Sequence, residues 1–289
     1  MVKSVLGITG GSGVYDIAMD NALWLRVASP WGEASDEVRR GEISGLPVVF
    51  LPRHGRGHVY SPSSINYRAN IDVLKRCGVT DVFSLSAVGS LRAELPPGTF
   101  VLPDQFIDRT CKRENSFFGA GCVAHVAFAE PVSPVLARLA ETAMKAEKIE
   151  CKRGGTLVVM EGPQFSTKAE SELHRSWGAD LIGMTAMPEA KLAREAELAY
   201  CNVAMVTDFD AWHPNHEAVD VGQVMKTMKA NVEVAKRFVL RLAREFPREH
   251  VACAADLALE HAIMTAPEKR DPTLLAKLDA VAGRVISRT

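Results

Sequence analysis

"AYCNVAMVTDFD", residues 199–210, is a mostly apolar run that stops abruptly on two aspartates set one residue apart. Its apolar part, 199–206, has the length of a strand, and it lacks the alternation of a strand with one wet face. It therefore reads as a strand buried on both faces, with Asp208 and Asp210 at its carboxyl end. Six further runs have the same character: "SVLGIT" (4–9), "LPVVFLP" (46–52), "TDVFSLSAV" (80–88), "TFVLP" (99–103), "GTLVVME" (155–161) and "DLIGMT" (180–185). Helical patterns fall between several of them. "INYRANIDVLKRCG" (65–78) carries apolar residues at helical spacing and stops at Gly78. "SPVLARLAETAMKAEK" (133–148) opens with a serine cap and proline in the first turn. "TKAESELHRSWG" (167–178) opens with a capping box, and residues 220–246 form a long amphipathic pattern. Strands alternating with helices predict an α/β fold: a central mixed sheet flanked by helices in three α/β/α layers. No linker interrupts the pattern, so 1–289 reads as a single domain, with a core over about 4–246 and a helical tail over 247–289. The tail is expected to hold one helix bearing Asp256 and Glu260 and a second running from Asp271.

Bulk properties narrow the function. The 289 residues carry a net charge of −1, with 47% apolar and 24% charged side chains. This is ordinary globular composition, with no basic excess for nucleic acid or an anionic membrane surface. Nothing approaches the roughly 18 consecutive apolar residues of a membrane span. The opening "MVKSVLGITGGSG" breaks into glycines too soon for a secretory leader. Cysteines at 77, 111, 122, 151, 201 and 253 form no CxxC pair, so neither a metal site nor a disulfide framework is expected. Free thiols suit a reducing, cytoplasmic setting.

Ligands of such sheets gather at the carboxyl ends of strands, where the chemistry-bearing residues of this chain also fall. After the first strand, Gly10, Gly11 and Gly13 would let backbone approach an anion, and Ser12 adds a hydroxyl. A plain strand-to-helix turn is the alternative; a dinucleotide fingerprint is disfavoured because the glycine spacing fails. After the second, "PRHGRGH" clusters Arg53, His54, Arg56 and His58, an arginine fork for phosphate oxygens with imidazole donors beside it, or else a solvated basic loop. "SLSAVGSL" gathers Ser84, Ser86 and Ser90 around Gly89. Glu161, Phe165 and Ser166 precede a helix; Phe165 would stack on a flat ligand or pack in the core. Met184 and Thr185 close another strand, although Met is usually core filler. If the chain stays extended past 206, Asp208 and Asp210 point the same way into one pocket. Burial and a like charge raise a carboxyl pKa, so one aspartate could deliver a proton near neutral pH while the other accepts from an amine. A turn and helix cap is the alternative.

Taken in order, "GGSGVYD", "PRHGRGHVYSPSSINYRANI", "SLSAVGSLR", "PPGTFVLPDQFIDRT", "EGPQFSTKAES", "WGADLIGMTAMPEAKLAREA" and "TDFDAW" resemble the methylthioadenosine phosphorylase branch of the trimeric purine nucleoside phosphorylase family, over about residues 4–240. The resemblance implies the phosphorylase fold and cleavage of the N-glycosidic bond of methylthioadenosine by inorganic phosphate, a co-substrate, giving adenine and methylthioribose 1-phosphate without cofactor or metal. It implies that Ser12, Arg53, His54, Ser86, the Ala87 amide and Thr185 hold phosphate. The family commonly has Thr at the positions of Ser12 and Ser86, and a hydroxyl remains at both. It implies that Met184 meets the ribose, that Phe165 flanks the base, and that Asp208 and Asp210 face N7 and the 6-amino group as the catalytic acids. Val221, Val224 and Met225 would line the methylthio pocket, Ser166 would bear on substrate choice, and the assembly would be a homotrimer in which His125 reaches a neighbouring subunit's site. Rival activities within the family are methylthioinosine phosphorylase and a broader purine nucleoside phosphorylase. The acid pair argues against both, since an ionised carboxylate cannot donate to a 6-oxo group. A nicotinamide dehydrogenase or a non-catalytic nucleotide-binding module would leave "PRHGRGH" and "TDFDAW" without a role.

Overall fold

The structure, a computed structural model, describes residues 2–11, 13–213 and 221–286. The first apolar run becomes β1 (Leu6–Gly10). Two strands then lead to the second run: β2 (Asp20–Leu25), β3 (Val38–Ile43) and β4 (Leu46–Pro52). Helix α1 (Tyr67–Arg76) starts where the Asn66 side chain accepts the Ala69 N–H. β5 (Asp81–Ser90), β6 (Phe100–Leu102) and β7 (Gln105–Asp108) follow, then α2 (Pro134–Ala146), capped by Ser133. β8 (Cys151–Arg153) and β9 (Thr156–Val159) precede α3 (Lys168–Ser176), whose Thr167–Glu170 capping box forms as the sequence predicts. β10 (Leu181–Gly183), α4 (Ala186–Glu195), β11 (Ala199–Asp208) and α5 (Val221–Glu245) complete the part that carries the cavity. The tail adds a short 3-10 turn at Ala254–Leu257, then α6 (Pro272–Lys277) and α7 (Asp279–Ile286).

The described strands form one mixed sheet in the order β2-β3-β4-β1-β5-β10-β9-β7, with β11 also on β5 and leading through β6 to β8. β5 is its hub. Leu6–Thr9 of β1 pair in parallel with Asp81–Ser84, and β11 runs parallel along the other edge of β5 from Ala199↔Asp81 to Asp208↔Gly89. Alternation along these central strands supplies both faces. Val82, Val88, Ala204 and Val206 join the apolar cluster under α1, α4 and the tail, while Phe83, Leu85, Val203 and Met205 join the one under α2 and α5. Phe83 sits edge-on to Phe238 and Phe246, with ring centroids 6.2 and 6.4 Å away. Burying each such side chain stabilises by roughly 1.5–3 kcal/mol. These are the three layers expected.

β2, β3, β7, β8 and α4 were not legible as separate elements. β2 is a half-exposed edge strand without a clean apolar run. α4 is buried nearly all round, Glu189, Arg194 and Glu195 included, so it has no polar stripe to betray it. The tail also differs from expectation: the segment bearing Asp256 and Glu260 is a single short 3-10 turn and its flank, and the helix from Asp271 breaks at Leu278 into two. All six cysteines are free. No described helix is long and apolar enough to cross a membrane.

The tail is moored at the amino ends of β5 and β11. Glu197 accepts from the Leu259 N–H and from Arg284 at 2.9 and 2.7 Å, and the His250 ring lies between Asp81 (Nδ1–Oδ2, 3.0 Å) and Asp256 (Nε2–Oδ1, 2.9 Å). Cys253 completes a group whose ligating atoms lie within 4.8 Å of one another, and the hydrogen bonds among its members and to Asp81 account for the grouping. The hydrogen bonds of Asp256 and Asp81 raise the imidazole pKa from 6.5 to about 10. A raised pKa means stability that is fully present below about 6.5 and is lost as pH climbs through about 10. The gap in urea midpoint between the wild type and His250→Gln is therefore expected to shrink steadily from pH 7 to pH 10. A pH-independent gap would contradict the imidazolium clamp.

Candidate active site

The cavity opens where β5 changes partner. β1 leaves its edge after Ser84, and antiparallel β10 takes the same edge only at Gly89 and Ser90. Between them the backbone of 85–88 is uncovered. The Leu85 carbonyl accepts from Arg53 Nη1 at 3.1 Å, and Ala87, two residues on and exposed, turns its N–H to the same side. The space enclosed is about 450 Å³, an ordinary size for a small-ligand site.

One wall is built from the ends of β1, β4 and β5 and the start of α4. Arg53 is fully buried, with Nε on Glu189 at 2.8 Å and Nη2 on Thr9 and Ser84 hydroxyls at 2.9 and 2.6 Å. Burial opposes its charge, and the Glu189 carboxylate outweighs this and raises its pKa. With Nη1 also bonded to Leu85, one guanidinium N–H is left to point at the cavity. His54 Nδ1 lies 2.8 Å from the Tyr60 carbonyl, which can only accept, so that nitrogen carries the hydrogen. Burial and the Arg53 charge hold the ring neutral, with its pKa pushed down to about 4. Nε2 is thus an acceptor, where the sequence reading expected a donor. His58 stacks on it at 4.3 Å and lines the same cavity. Gly11 and Ser86 line this wall, and Thr185 does so without spending its hydroxyl on capping α4. Ser12 lies outside the described residues. Arg56 leaves the cluster: it pairs at the surface with Asp36 and Glu37.

The opposite wall carries the acids. β11 has a register shift between Val206 and Asp208, a bulge of the kind that re-aims side chains beside sites. Both Asp208 and Asp210 line the cavity, but not through extended alternation. Asp210 has φ +51°, and its N–H donates to Asp208 Oδ1 at 2.8 Å, so a tight side-chain-to-backbone turn brings the pair together. Burial raises the Asp208 pKa and the Asp210 charge adds to it; the Thr207 hydroxyl (2.7 Å) and the Asp210 N–H hold it back without cancelling the rise. Asp210 Oδ2 is buried with no hydrogen-bond partner among the described residues. Gly89 permits this approach, because a Cβ there would lie 3.0 Å from both Asp208 Oδ1 and Ile182 Cγ2. Gly89→Ala is expected to displace this turn and to weaken by roughly 10- to 100-fold whatever activity depends on the two acids, as displacements of this order do. Initial rates equal to those of the wild type would contradict this.

Phe165 and Met184 line the cavity, and the Met184 carbonyl is held by Arg113 Nη1 at 2.6 Å. Gly162 (φ +68°) presses on Met184, since a Cβ there would meet Sδ at 2.6 Å. Ser166 is absent from the lining and touches it through Met160, its hydroxyl 3.8 Å from Sδ. On α5, Val224, Met228 and Val232 face the cavity at four-residue spacing. Met225, one position round the helix from Val224, is exposed and corrects the sequence reading; the Val221 side chain lies outside the described residues. His125 is exposed, tied by its N–H to the Ala262 carbonyl, and does not line this chain's cavity. Glu161 also stays outside it, held by Ser63, Arg113 and the Cys111 N–H with its pKa lowered to about 2. Sequence reasoning missed Met228 and Val232, although their spacing from Val224 was available. It missed Glu189, for which no local signal exists: its contact with Arg53 spans 136 residues.

A mixed-sheet α/β protein in which a buried arginine faces a pair of aspartates, one with its pKa raised, across one cavity is built as a group-transfer enzyme for a small ligand. Its relatives agree. The model of the phosphorylase superfamily matches residues 5–244. The S-methyl-5'-thioadenosine phosphorylase of Bradyrhizobium diazoefficiens is 62% identical, covering 99% of both chains. A crystal structure of a methylthioadenosine phosphorylase from an antarctic soil metagenomic library superposes with a TM-score of 0.92 at 42% identity, over 97% of this chain and 99% of that one. Methylthioadenosine phosphorylase from Schistosoma mansoni in complex with adenine gives 0.80 at 36%, over 83% and 91%. The chain belongs to the phosphorylase superfamily.

Proposed function

We propose that the chain, as a single phosphorylase domain, splits S-methyl-5'-thioadenosine with inorganic phosphate into adenine and 5-methylthioribose 1-phosphate. The observation that carries this reading is the pairing, across one cavity, of an acid with a raised pKa at Asp208 and a cradle made by Arg53, Ser86, the Ala87 N–H and Thr185. Ser12 joins the cradle by resemblance. His54 Nε2 accepts the hydroxyl hydrogen of monohydrogen phosphate. Protonated Asp208 donates to N7, so adenine leaves neutral, and Asp210 accepts from the 6-amino group through Oδ2, which has no partner among the described residues. As the glycosidic bond lengthens the ribosyl ring gains positive charge, which the phosphate oxygens stabilise before bonding to C1'. Phe165 lies against the base and Met184 against the ribose. Val224, Met228 and Val232, with Val221 by resemblance, favour a thiomethyl group over a hydroxyl. The homotrimer belongs to the same proposal: His125, exposed and away from its own cavity, would serve a neighbour's, and a solution mass of three chains would be measured by light scattering.

The test is phosphate-dependent base release from methylthioadenosine, methylthioinosine, adenosine and inosine side by side. Fast cleavage of methylthioadenosine with slow cleavage of both inosines is the expected result. Preference for a 6-oxopurine would overturn the roles of Asp208 and Asp210 and favour a methylthioinosine or broader purine nucleoside phosphorylase. No phosphate dependence with any of the four would overturn the enzyme assignment.

A further inference from the structure

Asn202 is a polar residue in the middle of the apolar run 199–206 of β11, with no exposed surface at all. Its Nδ2 lies 3.2 Å from the Ser84 carbonyl and 2.8 Å from the Ser86 hydroxyl. The carbonyl can only accept, so the amide nitrogen must be the atom facing β5, and its second hydrogen goes to Ser86 Oγ. Ser86 therefore accepts from Asn202, and its own hydrogen has to point elsewhere. The side chain is buried except where it lines the cavity beside the uncovered edge of β5. Asn202 does not satisfy itself in this arrangement: its Oδ1 has no hydrogen-bond partner among the described residues. An orphaned buried carbonyl oxygen costs stability, so an apolar side chain of this size would suit the strand better.

We propose that Asn202 is a positioning residue that fixes the Ser86 hydroxyl as a donor aimed at the phosphate oxygens. This rests on the phosphate cradle proposed above. Asn202→Asp inverts the polarity at the same shape: a carboxylate takes the Ser86 hydrogen for itself and leaves lone pairs facing the anion. The KM for phosphate is expected to rise roughly 10- to 100-fold, the loss of one hydrogen bond to a charged group, while KM for methylthioadenosine stays unchanged. Asn202→Leu frees the hydroxyl to rotate and is expected to give a smaller rise with an equal or higher melting temperature. The double variant Ser86→Ala/Asn202→Leu is expected to match Ser86→Ala alone, because Asn202 acts only through Ser86.

Wild-type initial rates against phosphate come first, since a protein with no phosphate dependence overturns the function proposed above and not this role. Given that dependence, phosphate and nucleoside KM values for the four variants decide. A phosphate-specific rise with non-additivity supports the proposal. An unchanged phosphate KM in both Asn202 variants, a nucleoside KM that rises in step, or losses that sum in the double variant would overturn it. If Asn202→Asp does not fold, the leucine series alone decides between these outcomes.

Discussion

Asp208→Asn is expected to lower kcat/KM for methylthioadenosine by roughly 10²- to 10⁴-fold, the usual contribution of a positioned proton donor. The argument runs through protonation. Burial and the neighbouring Asp210 charge raise the Asp208 pKa, so its acid form persists further toward neutral pH than an exposed aspartate's would. The proposed reaction needs that acid form. Wild-type activity should therefore fall as pH rises through the raised pKa, and the variant should lose this limb of the profile. The amide of the variant can donate to a 6-oxo group within its reach, where an ionised carboxylate cannot, so cleavage of methylthioinosine should fall less than that of methylthioadenosine. The variant removes a like-charge contact and should fold normally. Initial rates on both nucleosides from pH 5 to pH 9 check all of this, and an unchanged alkaline limb in the variant would rule out Asp208 as the donor.

Arg53→Met should both abolish phosphate-dependent turnover and destabilise the protein, by roughly 3–5 kcal/mol, the cost of stranding one member of a buried ion pair. Both side chains of the Arg53–Glu189 pair are 2% exposed, so neither charge has water to fall back on. Glu189 also accepts from Tyr200 at 3.0 Å and from Thr9 at 3.3 Å, contacts too weak to replace a guanidinium. Arg53→Met/Glu189→Met removes both charges and should recover most of the stability but none of the activity. Urea unfolding with phosphate kinetics separates these effects. A double variant as unstable as the single would mean that Arg53 supports the fold by packing and not by charge.

Much of this was legible in the chain because the signals were local. The buried strands that form the sheet's centre announced themselves as short apolar runs, and Ser133 and Thr167 marked helix starts where caps form. The acid pair stood out because a long apolar run ends on it. The reason the acids meet was not legible. A bulge at Thr207 and a left-handed Asp210 are backbone features that sit against Gly89, a residue far away in sequence. Glu189 escaped for the same reason, and so did the tautomer of His54, which is set by a carbonyl in the following turn. The sequence points to Met225 where the structure uses Met228, because a helical stripe without its facing wall has no fixed edge.

The handover of one β5 edge from β1 to β10 has a consequence for how such a site can diversify. In the proposed reaction the nucleophile's half of the cavity is drawn mainly from the β1–β4–β5 side and the first turn of α4, while the leaving group's half hangs from a single turn at the end of β11. Exchanges within that turn can retune which base departs and leave the handling of the anion intact. The strand between them allows no such drift. Sliding β5 by one residue would exchange Ser84 and Ser86 for Phe83 and Leu85 on the cradle face, so an insertion there would erase both halves at once. New specificities should therefore accumulate in the loops that β5 separates, and never by lengthening β5 itself.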